Sequence, residues 1–172
     1  MSRILKAILA VTALAVIAAV FVAFRFNQFL HAPVVVPDAG TIYEIPSGTA
    51  FRQVSDDLAS RGIVESPTFL RLYARVSGQA NRVQAGEYRI EAGTSPRELL
   101  DMFVSGEVQL YSFTIVEGWT FRELVAALAS DAVVEKSIEY EDWPAVLESF
   151  AADAGHPEGL FLPQTYSFPK GT

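Results

Sequence analysis

Gly86-Glu87-Tyr88-Arg89-Ile90-Glu91-Ala92-Gly93-Thr94-Ser95-Pro96-Arg97-Glu98-Leu99-Leu100 contains the pattern from which the fold of this chain can be read. Gly86–Ile90 reads as a short strand and Gly93 turns the chain. Ser95 is placed as an N-cap with Pro96 at the first helical position, and Leu99, Leu100 and Phe103 carry a helix to Gly106. The same order of parts occurs twice more. Gly48, Gly93 and Gly118 are each followed four residues later by an arginine, Arg52, Arg97 and Arg122. Gln53-Val54, Glu98-Leu99 and Glu123-Leu124 then pair a polar helix former with an aliphatic residue. Spacing between the copies is irregular, which excludes a solenoid and leaves a strand-turn-helix module used three times. Packing is enough to account for the repetition, with the three arginines on the exposed helix face.

Working outward, Thr41–Ile45 alternates like a half-buried strand, and Pro46-Ser47-Gly48 ends it. Phe51, Val54, Leu58 and Ala59 recur at helical spacing until Gly62. Ser66 and Pro67 open a second helix through Phe69, Leu70, Tyr73 and Val76 toward Gly78. From 108 to 116 the chain is β-rich, with one face expected buried and the other partly so. Glu117-Gly118-Trp119 breaks the run, and Thr120-Phe121-Arg122-Glu123 has capping-box spacing ahead of Leu124, Ala127 and Leu128. Residues 135–142 read as an acidic surface connection, and Asp142 as the cap of a helix from Trp143 through Leu147 and Phe150 to Ala154. These short strands and helices indicate an α+β chain.

Ala7 to Phe24 carries no charge, and eighteen residues rise about 27 Å as a helix, close to the roughly 30 Å of bilayer hydrocarbon. Arg3 and Lys6 precede this run and Arg25 follows it, so the positive-inside rule puts the N-terminus in the cytoplasm and the rest of the chain outside the inner membrane. A cleaved signal peptide competes, but its apolar region is shorter and ends at a small-x-small site, whereas this run ends in Phe21, Phe24 and Phe26. Residues 26–39, with His31, Pro33 and Pro37, read as an extended spacer.

Arg3, Lys6 and Arg25 take three of the 13 basic residues, leaving 10 against 20 acidic ones beyond residue 30. That balance excludes nucleic acid as the main partner. The absence of cysteine excludes a thiol nucleophile, a disulfide framework and thiolate metal ligation, and His31 and His156 cannot by themselves assemble a zinc set. Neither a metal nor a cofactor is implied.

One carboxylate stands apart. In His156-Pro157-Glu158-Gly159-Leu160-Phe161-Leu162-Pro163-Gln164-Thr165-Tyr166, Glu158 lies between a rigid proline and a permissive glycine and is followed by apolar residues. Two readings stand: a turn glutamate in solvent, or an acid in a pocket lined by Phe161, Leu162, Tyr166 or Phe168, where desolvation would raise its pKa toward the range of general acid catalysis. His156 either orients it or faces water.

Ile45-Pro46-Ser47-Gly48, Gln84-Ala85-Gly86-Glu87-Tyr88, Thr114-Ile115-Val116-Glu117-Gly118-Trp119-Thr120 and Glu158 through Tyr166, in this order, resemble the successive signatures of the endolytic murein transglycosylases, the membrane-anchored lytic transglycosylase G family. The resemblance covers essentially everything after the apolar run. It implies a cytoplasmic end (1–6), a transmembrane helix (7–25), a linker (26–39), a LysM-like module where glycan contact is expected (40–106), and the first part of an α+β catalytic domain (107–172). Glu158 matches the catalytic glutamate, and Gln164, Thr165 and Tyr166 become candidates for positioning sugar or glutamate, with packing of the turn as their other reading. Peptidoglycan glycan strands are the implied substrate, with cell-wall synthesis or division proteins as further partners.

The implied reaction cleaves the bond between N-acetylmuramic acid and N-acetylglucosamine without water and leaves a 1,6-anhydro end. Hydrolytic glycosidases generally use two carboxylates. Here the muramic 6-hydroxyl is the nucleophile, so one glutamate can give a proton to the glycosidic oxygen and later help remove one from that hydroxyl. Two departures accompany the resemblance. Gln164 stands where the family commonly has an acidic residue, and the chain stops 14 residues after Glu158, from which an incomplete catalytic domain with little activity of its own is expected. The rival readings are a non-catalytic peptidoglycan-binding or division-site scaffold, and a hydrolase drawing a second carboxylate from Glu117 or Glu148.

Overall fold

A computed structural model describes residues 3–134 and 157–170; the expected acidic connection, the helix from Trp143 to Ala154 and His156 lie outside the described residues. The chain divides into two compact units, Met1–Glu107 and Val108–Thr172. Helices and small sheets alternate in both, and the fold is α+β.

In the first unit, helix α1 (Arg3–His31) is followed by β1 (Thr41–Ile45), α2 (Phe51–Ser60), α3 (Pro67–Val76), β2 (Gly86–Ile90) and α4 (Pro96–Ser105). Strand β2 does not open a separate sheet, as a simple reading of the repeat would have it. It pairs antiparallel with β1, Tyr43 opposite Tyr88, because both strands turn an aromatic-aliphatic face the same way. Tyr43, Ile45, Tyr88 and Ile90 are buried on that face. Two strands alone are marginal in water. Val54 and Leu58 of α2, Leu70 and Ala74 of α3, and Leu99, Leu100 and Phe103 of α4 are buried in the same unit. The Phe103 ring lies 4.8 Å from Tyr88 and 6.0 Å from Tyr43, centroid to centroid. Burial raises both phenols above the usual tyrosine range. Each hydroxyl donates to a backbone carbonyl, Tyr88 to Gln84 at 2.9 Å and Tyr43 to Val54 at 3.4 Å.

Helix α1 is long and apolar enough to cross a membrane, and its large apolar side chains from Leu5 to Phe24 are uncovered by protein. Its end differs from the expected spacer. The helix continues through Phe26 to His31, and Val34 and Val35 then donate backbone hydrogen bonds to the carbonyls of Thr94 and Ile63. Three apolar side chains explain the continuation. Phe26 and Phe29 meet Phe69 of α3 edge-on at 5.6 and 5.7 Å, and Phe29 and Leu30 are buried. The prolines at 33 and 37 come after the last helical turn, where they cannot break it.

In the second unit, β3 (Leu110–Thr114) and α5 (Phe121–Ser130) precede β4 (Thr165–Pro169), which pairs antiparallel with β3. Strand β3 is shorter and less buried than expected, with Tyr111 and Phe113 half-buried and Leu110, Ser112 and Thr114 exposed. Strand β4 was not anticipated from the sequence. Leu124 is the buried side chain of α5.

Candidate active site

The site is built at the start of α5. Val116-Glu117-Gly118-Trp119 forms a turn in which the Trp119 amide donates to the Val116 carbonyl at 3.2 Å. Gly118 takes φ 88°, where a Cβ is strained; Gly48 at 77° and Gly93 at 92° make the same turn before α2 and α4. Thr120 is the N-cap of α5, its hydroxyl oxygen accepting from the Glu123 amide at 3.3 Å, while a Glu123 carboxylate oxygen accepts from the Thr120 amide and hydroxyl at 2.8 Å each. The Thr120 backbone and hydroxyl, in that order, hold the Glu123 carboxyl below the usual carboxylate range. Ser95 and Glu98 form the same box on α4.

The copies differ at the next residue. Pro96 occupies the first helical position of α4 and has no N–H. Phe121 occupies it in α5, and its amide donates to Oε2 of Glu158 at 2.9 Å. A carboxylate is stabilised there by the orphan amide and by the positive end of the helix dipole. The rings of Phe121 and Phe161 stack at 5.7 Å and 18°, fixing the loop from the other side.

The β3–β4 ladder returns this loop to α5. The Ile115 amide donates to the Gln164 carbonyl at 3.0 Å, and the Thr114 and Thr165 hydroxyls lie 2.9 Å apart. Glu158 thus borders an open cleft lined by Ile115, Trp119, Phe121, Leu124, Pro157 and Phe161.

Of the residues expected to enclose Glu158, Phe161 lines the cleft; Leu162, Tyr166 and Phe168 do not. Glu158 is exposed, so the described walls cover it on one side only. The candidates Gln164, Thr165 and Tyr166 lie in or beside β4, with the Tyr166 hydroxyl donating to the Leu162 carbonyl at 3.0 Å. Glu158 and this trio are therefore joined through one loop and one ladder, but the trio does not line the cleft. Arg52, Arg97 and Arg122 are exposed, as expected. The feature that escaped the sequence reading is the Phe121 amide. Its signal was present, since the repeat sets Phe121 where Pro96 stands and so leaves one amide available.

The model of the YceG-like family matches residues 43–172. A solved YceG-like protein from Listeria monocytogenes is 17% identical, with 79% of this chain and 50% of that chain covered and a TM-score of 0.40. The chain thus spans about half the length of that protein. No curated protein matches.

Proposed function

The chain belongs to the YceG-like family, and on that premise we propose that it is an endolytic lytic transglycosylase of the bacterial cell wall with Glu158 as its acid and base. The observation that carries the assignment is the carboxylate of Glu158, held at one oxygen by the Phe121 amide and set beside the Phe121–Phe161 stack. An oriented carboxylate meets the geometric requirement of proton transfer. In the proposed reaction, Glu158 gives its proton to the glycosidic oxygen as the bond from muramic C1 breaks. The 6-hydroxyl of the same sugar then bonds to C1, and its proton passes to the Glu158 carboxylate, leaving a 1,6-anhydro end and restoring the acid.

Helix α1 serves in this reading as a single inner-membrane anchor with the N-terminus in the cytoplasm, and residues 40–106 as a LysM-like module that contacts glycan. The order β1-α2-α3-β2, with its two-stranded antiparallel sheet, supports the module assignment. Cell-wall synthesis or division proteins are the proposed neighbours.

Glu158→Gln tests the chemistry in the gene product purified from its native membrane. Glutamine keeps an oxygen for the Phe121 amide but cannot donate a carboxylic proton, so release of anhydro-ended muropeptides from glycan strands should fall by roughly 10²–10⁴ with unchanged thermal unfolding. Retained cleavage overturns the assignment. The exposure of Glu158 and its hydrogen bond to the first amide of α5 favour a second reading, a peptidoglycan-binding scaffold in which Glu158 only caps that helix. Binding to sacculi by the unaltered protein without release of anhydro or reducing ends would establish it.

A further inference from the structure

Helix α3 carries two apolar faces. Leu70 and Ala74 are buried in the core of the first unit. Phe69, Leu72, Tyr73 and Val76 recur at helical spacing on another side, where Leu72 is 44% and Val76 78% exposed. Arg75, also exposed, borders this stripe. We propose that the stripe is a membrane contact, with α3 lying on the bilayer beside the anchor and Phe69, Leu72, Tyr73 and Val76 seated in the headgroup layer.

The depth is set by α1. Phe26 is two residues, about 3 Å of helical rise, beyond Phe24. The polar layer outside the hydrocarbon is roughly 5–8 Å thick on each side. Phe69 meets the Phe26 ring at 5.6 Å, so the stripe begins at headgroup depth. An aromatic and aliphatic helix face with an arginine at its border suits that layer, where apolar side chains reach the acyl boundary and cations meet lipid phosphate. Lipid covers the exposed apolar surface of the stripe as it covers that of α1.

The proposal rests on α1 being the membrane span, and its test separates the two. The chain has no cysteine, so single cysteines can carry an environment-sensitive fluorophore in the full protein, reconstituted into phosphatidylethanolamine–phosphatidylglycerol vesicles with spin-labelled lipid as quencher. Val16→Cys reports the span and Val76→Cys the stripe. Ala92→Cys is the water-exposed reference, in the turn whose Thr94 carbonyl accepts from Val34, eight residues past Phe26. The expected result is a blue-shifted label at 76, quenched by lipid about twofold or more over that at 92. Equal quenching at 76 and 92, with 16 quenched, overturns the stripe and leaves the span standing. A blue shift at 76 without lipid quenching means a protein surface covers it and also overturns the proposal. An unquenched label at 16 removes the span, and the proposal with it.

Discussion

Phe121 and Pro96 occupy the same place in two copies of one pattern, and Phe121 alone has an N–H to donate and an aromatic ring to stack. Prolines are well suited to the first helical position, so Phe121→Pro should leave α5 helical while removing the donor that holds Glu158. Phe121→Leu keeps the amide and loses the ring stack with Phe161. Phe121→Leu should lower stability by about 1 kcal/mol, and Phe121→Pro, which loses the stack as well as the amide, by about 2 kcal/mol. Cleavage should fall much further in Phe121→Pro than in Phe121→Leu, measured as anhydro-muropeptide release at matched protein; equal losses would assign the effect to the ring. This contact was out of reach of a reading by side-chain type. Glu158 announced itself by its neighbours, but its partner is a backbone amide 37 residues away, and every residue but proline offers one.

The elements of the chain were legible wherever their ends are written in local chemistry. Ser66-Pro67, Ser95-Pro96 and the Thr120–Glu123 box start helices α3, α4 and α5 at the expected residues. Helix α2 shows what the pattern tolerates: Ala50 has no side-chain acceptor, and the Gln53 side chain alone takes the Ala50 amide at 3.3 Å. Strand β4 escaped notice because its polar–aromatic alternation is brief, ends in Pro169, and gains meaning only from β3, some fifty residues earlier. The two boxes also predict an acid response. Hydrogen bonds from Ser95 hold Glu98, and those from Thr120 hold Glu123, below the ordinary glutamate value of about 4.3. A carboxyl lowered in the folded state contributes stability above its unfolded pKa and loses it as pH falls through its folded one. Helicity should therefore weaken as pH drops below about 4. Glu98→Gln with Glu123→Gln should flatten that limb, read by circular dichroism from pH 6 to 2; an unchanged slope would show that the boxes do not contribute to it.

At the scale of the whole molecule, the apolar run from Ala7 to Phe24 was the plainest signal in the sequence, and the segment just beyond it was the least plain. Prolines at 33 and 37 pointed to a spacer; Phe26, Phe29 and Leu30 turn residues 26–31 into more than one further turn of helix packed on α3. Such packing depends on Phe69, forty residues away, which local composition cannot reveal. A rigid connection predicts a graded response to length. Four glutamines inserted between Phe24 and Arg25 lift the unit by about 6 Å and nearly restore its rotational setting, since four residues turn a helix by about 400°. Lipid quenching at position 76 should then fall toward that at position 92 with unchanged thermal unfolding. Undiminished quenching would mean that the helix bends at the insertion.

A coil of fourteen residues at 26–39 would have let the first unit wander about 20 Å from its root. The unbroken end of α1 permits no such wandering: in the proposed anchored protein it would hold the unit at one altitude above the lipid and leave it lateral drift and spin. Its search for a partner is then a search in a plane. If its substrate is the proposed glycan strand, one passing at that height would be met wherever the anchor diffuses, and one lying a few ångströms higher would be passed beneath.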